Sequence, residues 1–584
     1  MDVRARPPLT HLPRRGAVAL AIAAAALLVS LPAGARAQTT SAAGSTPGSA
    51  APGGTTGEPA APATNLTESQ AIRIARTDPQ VAAERRRHGP LDPTAESKPG
   101  TWQVDFYADG TDRVQVVVDD ATTQIRETWT GYQIAWQMAR GYPGQFGHKL
   151  NAPYVWIPLA AIFLLGLVDF RRKSRMVHLD LLVLLSFGIS EIYFNHGNIG
   201  VSVPLAYPPL LYLLARMIWV GFRGAGEGLR PSAPTAWLAI GGAFLLGFRI
   251  ALNIVDSGVI DVGYAGVIGA DHLTHGQAIW NNFPDDNSFG DTYGPFNYFA
   301  YVPFELVLPW SGQWDNLPAA HAAAIFFDLA TVGGLFALGR RLRPGADGTR
   351  LGVILGFAWA AYPFTDYALQ SNSNDALVAA LLVWSLALFA SPVRRAVTLG
   401  LSVAAKFASL PLAPLFAAGE TGLLTRSPES QSLRPAVVFT AALAATLGVM
   451  LILPAVDPGL APFYDRTIKS QIDRTSPFTV WGQDSSLGWL QTAVQAFAVG
   501  LALLVAFLPR RRSLPQVAAL AAAVMIAVEL TADHWFYLYI PWFFGLALAG
   551  LTAATRPSSS VTVSESSVAS APGIRREKIP ASAR

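Results

Sequence analysis

The sequence predicts a mainly α, polytopic transmembrane helical protein with a small exported α+β domain at its N-terminus, and three observations carry that prediction. Hydrophobic residues make up 51% of the 584 and charged ones 14%, too few polar groups to coat a soluble protein of this size. From Tyr154 onward, apolar runs long enough to cross about 30 Å of hydrocarbon recur between polar or Pro-rich breaks. Arginines cluster at the ends of those runs, so the pI near 9.2 reflects membrane orientation and excludes nucleic acid as a partner. The chain has no cysteine, which rules out disulfides, thiolate metal sites and cysteine nucleophiles.

Residues 1–37 read as a signal peptide: a basic start, an apolar stretch, Pro32, and Ala35-Arg36-Ala37 as the small-x-small cleavage pattern. Residues 38–64 are Ala, Gly, Pro, Ser and Thr with almost nothing to bury, a disordered linker. A folded unit over 65–150 begins with a helix capped by Thr67, with Gln70 completing a capping box. Trp102, Val104 and Phe106 then alternate along a strand, Asp109-Gly110 turns the chain, and Val114, Val116 and Val118 alternate along the next. Another turn precedes Ile125, giving a helix followed by an antiparallel meander. In order and texture this unit resembles the PepSY domain, an exported module often fused to membrane proteins.

Placing every arginine cluster in the cytoplasm gives about eleven spans, near 154–170, 177–194, 204–222, 235–254, 318–339, 351–369, 375–391, 435–453, 487–508, 516–532 and 539–555. The exported domain is then extracytoplasmic and 556–584 a disordered cytoplasmic tail. Three spans over 151–234 precede a larger body over 235–555. Two segments do not read as simple crossings. Residues 396–418, broken by Lys406, Pro411 and Pro414, read as a hairpin that enters from the cytoplasm and returns. The run YGPFNYFAYVPFELVLPW, residues 293–310, reads as an interfacial or re-entrant helix on the outer face.

The fourth span is followed by an exterior loop of roughly sixty residues, a length usually reserved for function. Asp256 and Asp261 sit at its start, in apolar sequence at the membrane boundary, where partial desolvation raises a carboxylate toward the range of a general base. Arg249, seven residues before Asp256 on the same helical face, needs an anionic partner. An Arg249–Asp256 ion pair that only fixes the helix end is the alternative to a role for both in the site. The loop after the eighth span supplies Arg466, Lys469 and Arg474 at near-helical spacing, suited to a phosphate, unless Asp465 and Asp473 simply pair with them. The last exterior turn, TADHWFYLYIPW, adds His534. Asp271, His272 and His275 are close enough in sequence to hold a divalent metal, yet lack a fourth ligand, and hydrogen-bonding roles are preferred.

Taken in order, DVGYAGVIGADHLTHGQAIW, YGPFNYFAYVPF, LQSNSNDALVAALLVW and the AAKFASLPLAPLF hairpin resemble the GT-C superfamily of polyprenyl-phosphate-dependent glycosyltransferases, most nearly the mannosyltransferase-like members of glycosyltransferase family 87. The resemblance covers 235–555. It implies an inverting hexosyltransferase of the cell envelope, with Asp261 as catalytic aspartate, Tyr264 after it on the donor side, and Tyr293-Gly294-Pro295 as the aromatic-Pro segment. The implied partners are a polyprenyl-phosphate sugar donor and a glycolipid, glycan or protein acceptor, with no required cofactor. The three leading spans and the exported domain depart from the family pattern. Two other readings are a transporter or flippase of lipid-linked saccharides and a membrane-anchored sensing protein. Against the first, charges gather at the outer boundary and the halves show no repeat; the second leaves the acidic loop unexplained.

Overall fold

A computed structural model describes residues 65–142, 146–172, 175–226, 228–423, 434–472, 474 and 476–552. The expected signal peptide, linker and tail lie outside the described residues.

The N-terminal unit forms as its sequence pattern requires. The helix Glu68–Ala75 carries the capping box, with the Thr67 N–H donating to Gln70 Oε1 at 2.7 Å. Asp78-Pro79 then starts a second helix, Pro79–His88, because the Asp78 carboxylate accepts the Gln80 N–H and proline suits the first helical turn. Four strands follow, β1 Asp92–Lys98, β2 Thr101–Ala108, β3 Thr111–Asp119 and β4 Ile125–Thr130, in a sheet of order β1-β2-β3-β4 with antiparallel neighbours. Trp102, Val104, Phe106, Val114, Val116 and Val118 are buried in one core with Ala71 and Ala75 of the first helix. The polar β1 has no apolar alternation, so pairing with β2 creates it where pattern does not announce it.

The rest of the described residues are mainly helical, and the protein is a multi-pass membrane protein. Six helices are long and apolar enough to cross a bilayer: Met176–Asn195, Ile199–Arg223, Thr235–Asp256, Pro318–Leu342, Ser485–Phe507 and Leu514–Thr531. Shorter apolar helices occupy other expected spans, among them Pro153–Leu167, Asp375–Ala387, Arg434–Met450 and Ile540–Gly550. Leu514–Thr531, rich in alanine, lies at the centre of the bundle, where small side chains let helices approach. Trp237, Ile240, Phe244 and Trp489 point outward, where hydrocarbon makes their exposure inexpensive.

Three segments differ from or refine their sequence reading. The expected span 351–369 is two helices, Gly345–Ala361 and Pro363–Gln370, because Pro363 has no N–H with which to continue the ladder. The run 293–310 is two short helices, Pro295–Phe299 and Val302–Glu305, in place of one. The hairpin does return: it climbs as Pro392–Ala405, breaks at Lys406, and comes back through Phe407–Leu412 and Ala413–Ala418. Its ends meet where the buried Arg395 guanidinium lies beside Gly419.

The break before Pro363 leaves carbonyls without helical partners, and Arg249 takes them. Its guanidinium donates to the Trp359 carbonyl at 2.9 Å, to Thr365 Oγ1 at 3.0 Å and to Asp328 Oδ1 at 2.7 Å. Asp366 Oδ1 lies 3.6 Å from its Nε. The expected Arg249–Asp256 pair is therefore corrected. Arg249 turns inward toward two buried carboxylates, while Asp256 accepts the Lys149 backbone N–H at 3.0 Å and pairs with Lys149 Nζ at 3.3 Å. A charge enclosed by helices requires an ionic partner at its own depth, and the helix end offers only a solvated one.

These environments predict different costs. Arg249→Met strands two buried carboxylates and should destabilise the fold by about 3–5 kcal/mol, whereas Asp256→Asn should cost under about 1 kcal/mol. Thermal unfolding of the two variants in detergent checks the order; equal midpoints would contradict it.

Candidate active site

A cavity of about 430 Å³ opens where four chain segments converge. Asp261 begins the helix Asp261–Thr274, Asp375 begins Asp375–Ala387, Lys406 is the break in the hairpin, and Tyr539 and Trp542 lie at the start of the last helix. Tyr293, Arg474, His534, Met138 and Phe146 complete its polar and apolar walls.

A buried polar turn places the first of these groups. Ser371, Asn372, Ser373 and Asn374 follow the helix Pro363–Gln370 and are all enclosed. The Asn372 Nδ2 donates to the Gly258 carbonyl at 2.9 Å, the Ile260 N–H donates to the Ser371 carbonyl at 3.2 Å, and Asn253 Nδ2 donates to Asn372 Oδ1 at 2.8 Å. These bonds clamp residues 257–260, so Asp261 emerges at a set height. Gly263 is part of the clamp: a Cβ there would collide with the Asn372 carbonyl. On the other side, Asn287 Nδ2 donates to the Asp261 carbonyl at 2.9 Å.

Electrostatics divide the charged groups into paired and unpaired. Lys406 Nζ sits 2.6 Å from Asp375 Oδ1, which also accepts the Trp542 indole N–H at 3.1 Å. The ammonium lies over three rings, with centroids at 5.4 Å for Tyr293, 5.6 Å for Tyr539 and 5.2 Å for Trp542. Arg474, by contrast, has no ion pair among the described residues, and its guanidinium rests 5.5 Å from the Trp136 ring centroid. Asp261 opens onto the cavity but is walled by protein. That desolvation pushes its pKa up from the ordinary carboxylate range, more than Arg474 and Lys406 pull it down. Burial, aided by the same two cations, holds His534 well below its usual value, so it is a neutral imidazole, hydrogen-bonded through Nδ1 to Ser476 Oγ at 2.8 Å. Burial, then the charge of Asp261, raises the Tyr293 phenol well above its ordinary range and keeps it a hydrogen-bond donor.

Of the residues singled out from sequence, Asp261, Tyr293, Arg474 and His534 share the cavity. The others do not line it. Arg249 is consumed in the buried ion cluster and Asp256 in its Lys149 pair. Tyr264 packs against Trp310 and Trp314. Arg466 forms a bidentate pair with the buried Asp291, at 2.8 and 2.5 Å, stapling the acidic loop to the segment after the eighth expected span. Lys469 ends the turn Asp465–Lys469 away from the cavity walls. His275 pairs with Asp271 at 3.2 Å, while His272 is buried against Phe283. Among the described residues no three His, Asp or Glu side chains gather as a metal-binding group. Asp375, Tyr539 and Trp542 join the cavity without having stood out in the sequence, where Lys406 marked only the break in the hairpin. The available signal was that an ionisable residue inside an apolar run needs a partner, but Asp375 and Lys406 lie too far apart in sequence for the pair to be read.

No protein-family model matches the chain, and no curated protein matches it significantly.

Lys406→Met should destabilise the protein by about 3–5 kcal/mol, because Asp375 then keeps an uncompensated buried charge, and adding Asp375→Asn should recover part of the loss. Thermal unfolding of the single and double variants in detergent checks this. A double variant no more stable than Lys406→Met would show that the pair is not the source.

Proposed function

We propose that the protein is an integral-membrane glycosyltransferase that moves a mannose-like sugar from a polyprenyl-phosphate donor to a glycolipid, glycan or protein acceptor on the extracytoplasmic face. The observation that carries this reading is the content of one cavity: a carboxylate with raised pKa, Asp261, together with the cations Lys406 and Arg474. The order of sequence segments that resembles the GT-C glycosyltransferases supports it independently.

Each group then has a task. Asp261 takes the proton of an acceptor hydroxyl as that oxygen attacks the anomeric carbon. The bond from that carbon to the phosphate oxygen breaks on the opposite face, its electron pair leaves with the polyprenyl phosphate, and the configuration inverts. Arg474, unpaired among the described residues, stabilises the departing charge, while Lys406, already balanced by Asp375, holds Tyr293, Tyr539 and Trp542 in place. Tyr293 and the neutral His534 offer hydrogen bonds without competing charge. Phe407, Leu410, Ile468 and Ile472 line the same cavity and suit the apolar end of an isoprenoid donor. A phosphate monoester carries less charge than a nucleotide diphosphate, so Arg474 suffices and no divalent metal is required.

The test is transfer from a panel of radiolabelled polyprenyl-phosphate sugars by purified protein. Failure with every donor, by folded protein, would favour transport of lipid-linked saccharides instead. Asp261→Asn should lower turnover by about 10² to 10⁴ with donor affinity nearly intact. Because the base must be deprotonated and its pKa is raised, wild-type turnover should be lost as pH falls through a value above the ordinary carboxylate range. Near-normal turnover in Asp261→Asn would remove this residue from the chemistry.

The orientation has its own check. Asp286 and Asp347 are both exposed, on opposite sides of the helix Pro318–Leu342 in sequence. Introduced singly into this cysteine-free chain, a cysteine at Asp286 should react with an impermeant thiol reagent in intact cells and one at Asp347 should not. Labelling at Asp347 without permeabilisation would invert the topology.

A further inference from the structure

The exported domain is joined to the cavity by a connector that the transferase reading leaves without a role. Residues 131–142 run from β4 across the mouth of the helical body and are fastened at both ends. On the sheet side, Arg140 Nη2 donates to Gln115 Oε1 at 2.8 Å, and its guanidinium covers the Trp129 ring at 5.0 Å. On the membrane side, Gln133 Nε2 donates to the Gly197 carbonyl at 3.3 Å, and Tyr132 Oη donates to the Gln483 carbonyl at 3.2 Å. Gly141 and Gly197, both at positive φ, press backbone to backbone there, and a Cβ on either would collide with the other strand of chain.

Between these anchors lies Trp136. Its ring contacts Phe478 edge-on at 5.6 Å and His534 at 6.2 Å, and it carries the Arg474 guanidinium at 5.5 Å. Met138 and Phe146, on the same stretch of chain, line the cavity. Phe146 packs edge-on against Phe536 at 5.2 Å, the residue two beyond His534. The ring that meets Arg474, unpaired among the described residues, therefore comes from the exported domain's connector.

We propose that Trp136 is a positioning residue: its ring holds the Arg474 side chain at the cavity, and the docked exported domain thereby sets the affinity for an isoprenoid phosphate monoester. This rests on the transferase reading for the identity of the ligand, and on geometry alone for the placement of Arg474. An aromatic face attracts a guanidinium while leaving its N–H groups free for phosphate, which a carboxylate partner would not do.

The test uses the full-length chain in detergent with farnesyl monophosphate as the probe. Trp136→Ala and Trp136→Leu should weaken its binding on the order of ten-fold, and Trp136→Phe, which keeps a ring face, should restore most of it, with thermal midpoints close to wild type for Leu and Phe. A second readout needs no ligand. A cysteine in place of Arg474 in this cysteine-free chain should react several-fold faster with a charged methanethiosulfonate when Trp136 is Leu than when it is Trp or Phe. If wild-type protein binds no farnesyl monophosphate, the donor reading fails, and the labelling rates alone decide whether Trp136 covers position 474. Equal affinities for Leu, Phe and wild type, or equal labelling rates in the three backgrounds, would overturn the proposal.

Discussion

The architecture depends on one buried guanidinium. Arg249 fills the gap where Pro363 interrupts a helix, donating to the Ala360 carbonyl, sharing the Trp359 carbonyl with the Thr365 hydroxyl, and balancing its charge on Asp328 and Asp366. Without that cation Asp328 and Asp366 would be enclosed with no opposite charge, in a region with no water to screen them. With it, the helix Pro363–Gln370 can end in the enclosed Ser-Asn-Ser-Asn turn, which clamps residues 257–260 from one side and presents Asp375 from the other. Two of the cavity's carboxylates thus owe their positions to a residue that never reaches the cavity.

The division of charge within the site follows from the same rule. A buried charge is tolerated where an opposite charge neutralises it, so Asp375 is tied to Lys406 and the buried Asp291 to the half-buried Arg466. Such pairs build structure and have little charge left for a ligand. Arg474 differs because, among the described residues, it rests on an indole face and has no ion pair, and a quadrupole holds a cation without cancelling it. Asp261 complements it: the protein packed around its carboxylate raises its pKa, against the opposing pull of the Val262 N–H, Arg474 and Lys406.

The helices ahead of residue 235 are integral to this arrangement. The Tyr362 hydroxyl donates to the Leu184 carbonyl at 2.7 Å, and the Tyr537 hydroxyl lies within hydrogen-bonding distance of Ser190 and Ser202, at 2.7 and 2.9 Å. The Tyr537 bonds fix the turn that carries His534 and Tyr539. Hydrogen bonds between helices are retained in hydrocarbon because the alternative is an unsatisfied hydroxyl. The leading helices thus buttress one wall of the site, and Met138 and Phe146, beyond the N-terminal sheet, line another.

The sequence by itself determined the features that depend on local periodicity and composition. The capping box at Thr67, the meander through Trp102 and Val118, the long apolar helices and the returning hairpin at Lys406 are all written in patterns of a few residues. It also singled out Asp261 and His534 at the outer ends of apolar runs, where charge and ring polarity are costly, and Arg474 by its spacing with Arg466 and Lys469, while Tyr293 came from the resemblance of its segment. Tertiary structure alone decided which charges meet. Arg249 turned from Asp256 to Asp328 and Asp366, Arg466 left the phosphate group of candidates for Asp291, and Asp375 joined Lys406. The reason is physical: a buried charge is satisfied by whatever group packing brings to the same depth, and that partner comes from another helix at a sequence distance no local pattern encodes.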